Sequence, residues 1–192
     1  MFLRTLSRFG ARLVSVLLLA GCARDAAAPV GPAAAPDSAN AALLGLLPVR
    51  GVTRAMPLAQ DIAVSAVIGS NGGTLTIPEA GLTLVVPAGA VSSDVTFTAT
   101  ALAGKIVAYD FEPHGTRFAV PLVLIQDLNL TQWLSGPASS LQLGYFKDDA
   151  QIDDARGVAQ IDEWETTTVN IGGAVLTAIV PHFSGYMVSS GR

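Results

Sequence analysis

From about residue 60 onward the chain is written in short runs of Val, Thr, Ile and Leu separated by Gly, Pro, Asn and Asp. Runs of this length and spacing read as strands joined by turns, and helical periodicity is scarce. The pattern predicts strands at Ile62–Ile68, Thr74–Ile77, Leu82–Val86, Val95–Leu102, Lys105–Phe111, Leu122–Asp127, Leu141–Lys147, Ala159–Glu165, Thr167–Ile171 and Ala174–Val180. In Val95-Thr96-Phe97-Thr98-Ala99-Thr100 the threonines take one face and Val95, Phe97 and Ala99 the other, as a half-buried strand requires. Asn170-Ile171-Gly172-Gly173 reads as a hairpin turn whose glycines supply the positive φ angles. The expected fold class is therefore all-β, a β-sandwich over residues 61–192. A domain of that length buries roughly two-thirds of its unfolded surface and folds without staples.

The N-terminal end follows different rules. Residues 1–12 contain Arg4, Arg8 and Arg12 and no acid, and they lead into Leu13-Val14-Ser15-Val16-Leu17-Leu18-Leu19-Ala20. A charged segment followed by a short apolar run is the order of a secretory signal, and the run falls short of the about 20 residues that span a bilayer. It ends in Leu19-Ala20-Gly21-Cys22, which resembles the lipobox of bacterial lipoproteins. The resemblance implies a signal peptide over residues 1–21, cleavage before Cys22, a diacylglycerol on the Cys22 thiol and an acyl chain on the new amine. Two or three acyl chains anchor a protein stably where one does not. Ala23, rather than Asp, after the Cys implies sorting to the outer membrane instead of retention in the inner one. Residues 22–60 then form a linker: Ala-rich to residue 42 with Pro29, Pro32 and Pro36 breaking any helix, followed by a more apolar lead-in, Leu43 to Leu58, with no firm assignment.

Composition narrows the partners. Apolar residues make up 51% of the chain, but much of that excess lies in the N-terminal third. Loss of the signal removes three of 11 basic residues against 15 acidic ones, so the rest is net acidic and nucleic acid is not an expected partner. With one cysteine, Cys22, no intramolecular disulfide can form.

Within the β region Gly72-Gly73-Thr74-Leu75, Pro78, the run Gly81-Leu82-Thr83-Leu84-Val85-Val86-Pro87-Ala88-Gly89-Ala90, then Phe111-Glu112-Pro113-His114-Gly115-Thr116-Arg117-Phe118 and Pro121-Leu122-Val123-Leu124 resemble a ZU-5 domain, the domain of zonula occludens proteins, netrin receptors and ankyrins. The resemblance covers roughly residues 66–188. It implies a β-sandwich used mainly for protein contacts, without general enzymatic activity. On their own chemistry the paired glycines permit a tight turn, and Pro87 and Pro121 suit strand ends or edges, where no ladder donor is lost.

One constellation carries possible chemistry: Pro181-His182-Phe183-Ser184-Gly185-Tyr186. In some relatives of the ZU-5 domain a His-Phe-Ser at this place cuts itself between Phe and Ser. The resemblance implies His182 as base or orienter, Phe183 as the acyl side and Ser184 as nucleophile, releasing Ser184–Arg192. A hydroxyl can attack the preceding carbonyl when a base takes its proton and the peptide is strained. The competing reading is structural: alternation along a final strand buries Phe183 and leaves His182 and Ser184 on the other face.

Other candidates are weaker. Asp148, Asp149, Asp153, Asp154, Asp162, Glu163 and Glu165 lack the spacing of a calcium loop and read as a solvated hairpin. His114 reads as a turn residue. With His182 the only other histidine and Cys22 lipidated, a His/Cys zinc site cannot be assembled, and no metal or cofactor is expected. Gly69-Ser70-Asn71-Gly72-Gly73 lacks the Lys and following helix of a phosphate loop. Trp133 and Trp164 suit either a sugar-stacking platform or core and rim positions. The expected function is a non-catalytic, lipid-anchored domain of the bacterial cell envelope that binds another envelope protein. Self-processing at Phe183-Ser184 is the first alternative and a carbohydrate-binding adhesin the second.

Overall fold

In the computed structural model the described residues are 48–133 and 140–191. The expected signal peptide, Cys22, the Ala/Pro-rich stretch and Leu43 to Leu47 lie outside them. Sixteen strands follow in chain order: β1 Val49–Gly51, β2 Thr53–Leu58, β3 Ile62–Ile68, β4 Gly73–Ile77, β5 Leu82–Val86, β6 Val95–Ala101, β7 Gly104–Ile106 and β8 Ala108–Glu112. Then come β9 Arg117–Asp127, β10 Gln142–Phe146, β11 Ile152–Asp153, β12 Val158–Ala159, β13 Glu163–Trp164, β14 Thr167–Asn170, β15 Val175–His182 and β16 Gly185–Gly191.

A nine-stranded antiparallel sheet runs β11-β12-β1-β16-β8-β6-β3, with β10 on the other edge of β16 and β13 beyond it. A five-stranded antiparallel sheet runs β14-β15-β9-β5-β4, and β2 pairs with β7 in a small ribbon. Between the two larger sheets lies the main core, which includes Leu82, Leu84, Phe97, Phe111, Leu122, Leu124, Ala178, Val180, Phe183 and Tyr186. Val49, Ile106, Ala108, Phe146, Ala159, Ile161 and Met187 form a second, smaller core. Because β16 contributes Tyr186 and Val188 to one core and Met187 to the other, it is buried on both faces from Gly185 to Ser189. This is the all-β sandwich that the alternating runs require. In β5 and β6 every second side chain is buried, Phe97, Ala99 and Ala101 among them, while the threonines of β6 take the outer face.

Several boundaries differ from those read in the sequence, each for a physical reason. The Lys105–Phe111 run is two strands, β7 and β8, because Val107 leaves the ladder to bond Val52 and Val188. Ala159–Glu165 is likewise two short strands, β12 and β13, that pair with different neighbours. Pro121 stands inside β9 rather than at a strand end. β5 stops short of it, and the ladder to β15 shifts register between Val180 and His182, so no partner needs the missing N–H. In the β14–β15 turn the positive φ falls on Ala174, at 48°, and not on the glycines. Asn170 Oδ1 accepts from Gly173 N at 3.0 Å, and Ala174 N donates to Ile171 O at 3.1 Å, which fixes that turn. Gly72 does adopt positive φ, at 75°, where a Cβ would lie 2.3 Å from the Val86 carbonyl oxygen.

Two buried polar groups fill positions that the hydrophobic pattern does not announce. Arg54, 2% exposed, donates to the carbonyls of Ile106 at 2.8 Å and Ala108 at 3.2 Å and stands 5.5 Å above the Tyr109 ring. The Tyr109 hydroxyl donates to Gln126 Oε1, and Gln126 Nε2 donates to the carbonyls of Ala80 and Asp127. Of these groups only Arg54 Nε is left buried without a partner; the others are paired, as low-dielectric surroundings demand.

Candidate functional site

His182 ends β15 in the five-stranded sheet, and Phe183 and Ser184 form the connection to β16 in the nine-stranded one, not the middle of a final strand. Two other sheet-to-sheet crossings meet it. The β8–β9 turn, with a cis peptide bond between Glu112 and Pro113, gives Gly115 N–H to the Phe183 carbonyl at 3.0 Å, and Phe183 N–H donates to Thr116 O at 2.9 Å. The β13–β14 connection brings Glu163 and Glu165 beside His182. A cleft of about 250 Å³ opens here, lined by Gly115, Arg117, Tyr145, Glu163 and the three residues themselves.

Phe183 is fully buried, with ring centroids 4.8 Å from Phe97, 4.8 Å from Phe118 and 5.6 Å from Phe111. The burial expected of it holds, although the crossing between sheets and not strand alternation supplies it. Ser184 is 7% exposed, and its hydroxyl donates a long 3.5 Å bond to the Phe146 carbonyl. His182 is oriented by aromatic neighbours: Tyr145 stands edge-on at 5.0 Å, and Tyr186 Oη lies 3.3 Å from Nδ1. The same Oη donates its one proton to the His182 carbonyl at 2.6 Å. It can then only accept from the ring, which in a neutral imidazole places the proton on Nδ1 and the lone pair on Nε2.

Glu165 is the anomaly of the site. It is 8% exposed, and its Oε1 is shielded from solvent with no hydrogen-bond partner. Burial first, and the like charge of Glu163 second, push its carboxyl from 4.5 up to about 7. Burial, with Glu165, Tyr145 and Glu163 adding negative charge, pushes the Tyr186 hydroxyl well above its ordinary value. One ligand atom from each of Glu163, Glu165 and His182 lies within 4.8 Å of the others. Sequence reading missed this cluster because it grouped Glu165 with the exposed acids; Glu165 lies just beyond β13, in the β13–β14 connection, where no local periodicity marks it as buried.

Most of the remaining acids serve the backbone. Asp148 caps the short 3-10 helix Asp149–Gln151, Asp154 Oδ1 accepts from the N–H groups of Lys105 and Ile106 at 2.8 and 2.9 Å, and Asp153 accepts from Arg156 N at 3.0 Å. His114 lies in the β8–β9 turn and bonds Asp110 at 2.8 Å. The 69–73 segment is the turn between β3 and β4. Trp133 packs against the main core, while Trp164, 38% exposed, stands opposite Gly144 on β13.

No curated protein matches the chain. Residues 64–105, from β3 through the start of β7, match the family model described as the ZU5 domain, a generally non-enzymatic domain that mediates protein–protein interaction. That match lies inside the all-β sandwich, and over residues 64–105 the chain is similar to the ZU5 domain.

Proposed function

We propose that the chain is a lipoprotein of the bacterial cell envelope, held by acyl chains on Cys22, whose ZU5-type sandwich binds a protein partner without catalysing a reaction. The observation that carries this reading is the order of the sequence: a basic segment, the apolar run Leu13 to Ala20, the Leu19-Ala20-Gly21-Cys22 box, an Ala/Pro-rich stretch, and then a domain whose family makes protein contacts. At about 0.8 kcal/mol per buried methylene, two or three chains give stable anchoring. Sorting to the outer membrane belongs to the same proposal. Fractionation of cells expressing the Cys22→Ala chain tests the anchor. Loss from the membrane pellet supports it, and a pellet fraction equal to that of the unchanged chain contradicts it.

A second reading, self-cleavage between Phe183 and Ser184, draws support from two features. Gly115 N–H polarises the Phe183 carbonyl, and in its neutral Nδ1–H form His182 offers the Nε2 lone pair as a base. Against it, the Ser184 hydroxyl points to the Phe146 carbonyl. Two fragments from the unchanged chain, and one intact chain from Ser184→Ala, would establish it; equal behaviour of the two would dismiss it.

A further inference from the structure

Glu165 is buried with an orphaned carboxyl oxygen, beside the Glu163 carboxylate and the His182 imidazole. A buried acceptor without a partner is costly, the more so when charged. We propose that Glu163, Glu165 and His182 form a site for a divalent cation of the zinc class, with the fourth position filled by water.

The donor set fits that class. Two carboxylates and one imidazole suit a borderline cation such as Zn²⁺, whereas calcium takes an all-oxygen cage. Bonds of about 2.0–2.2 Å require ligand atoms closer together than 4.8 Å, and Glu163, exposed on β13, has room to swing inward. A cation would satisfy the orphaned Glu165 oxygen and relieve its repulsion with Glu163 in one step. The outer shell is already in place. Tyr186 holds His182 through Nδ1 and so fixes the tautomer that ligates through Nε2, the arrangement that metal-binding histidines use. The filled site would staple the β13–β14 crossing to the β15–β16 crossing, both of which run between the two sheets. The second cluster, Asp110, Glu112 and His114, differs: it is more exposed, and its histidine is already paired with the Asp110 carboxylate.

Titration of Zn²⁺ into the full chain carrying Cys22→Ser, so that no thiol competes, tests the site by calorimetry. One equivalent should bind at about pH 7.5, and Glu163→Gln, Glu165→Gln and His182→Gln should each weaken binding about tenfold or more. His114→Gln should leave it unchanged. Should Glu165→Gln fail to fold, the exposed Glu163 variant carries the test alone. No saturable binding, affinity unmoved by the three substitutions, or loss with His114→Gln would overturn the proposal.

Discussion

Phe183 packs against three other phenylalanines with nothing of it left in solvent. Its replacement by alanine should cost about 3–5 kcal/mol of stability in urea unfolding, and a loss under about 1 kcal/mol would mean that the aromatic cluster is not the centre of the core. Glu165 should make stability depend on pH in the opposite sense to an ion-paired carboxylate. Its folded value of about 7 lies above the ordinary 4.5, so the native state holds the proton more tightly. In metal-free protein stability is therefore fullest below about pH 4.5, declines as pH rises toward about 7 and stays reduced above it. Unfolding with a chelator present, at about pH 5 and pH 8, measures this, and Glu165→Gln should flatten the difference. The apolar character of Phe183 was legible in the sequence. The burial of Glu165 was not, because it arises where residues 163–165 meet residue 182 across two sheets.

Strands were the most legible elements. Ile62–Ile68 and Leu82–Val86 stand as read, since period-2 alternation and flanking turn residues specify them locally. Departures occurred where tertiary pairing decides: Val107 leaves the ladder to bond other strands, and Pro121 is tolerated within β9 by a register shift. The β14–β15 turn offers a test of backbone chemistry. Ala174 holds φ at 48°, a left-handed conformation that costs a non-glycine residue about 1–2 kcal/mol, while glycine loses about 0.5–1 kcal/mol of chain entropy on being fixed. Ala174→Gly should therefore stabilise the protein by about 0.5–1 kcal/mol, read as a rise in the thermal midpoint. A fall would show that Asn170 and Ile171 hold the turn in a different form.

Across the described residues, the last strand organises the fold: β16 pairs with β1, β8 and β10 and faces both cores. A cut at Phe183-Ser184 would leave this strand held only by its ladders and its packing, so retention of the intact chain is part of the binding-domain account. The most direct test of that account is the intact mass of the protein purified from its native membrane. The account predicts a single chain beginning at Cys22 with added acyl mass and without a separate Ser184–Arg192 peptide. An unmodified Cys22 would contradict the anchor, and the nine-residue fragment would make self-processing the leading function.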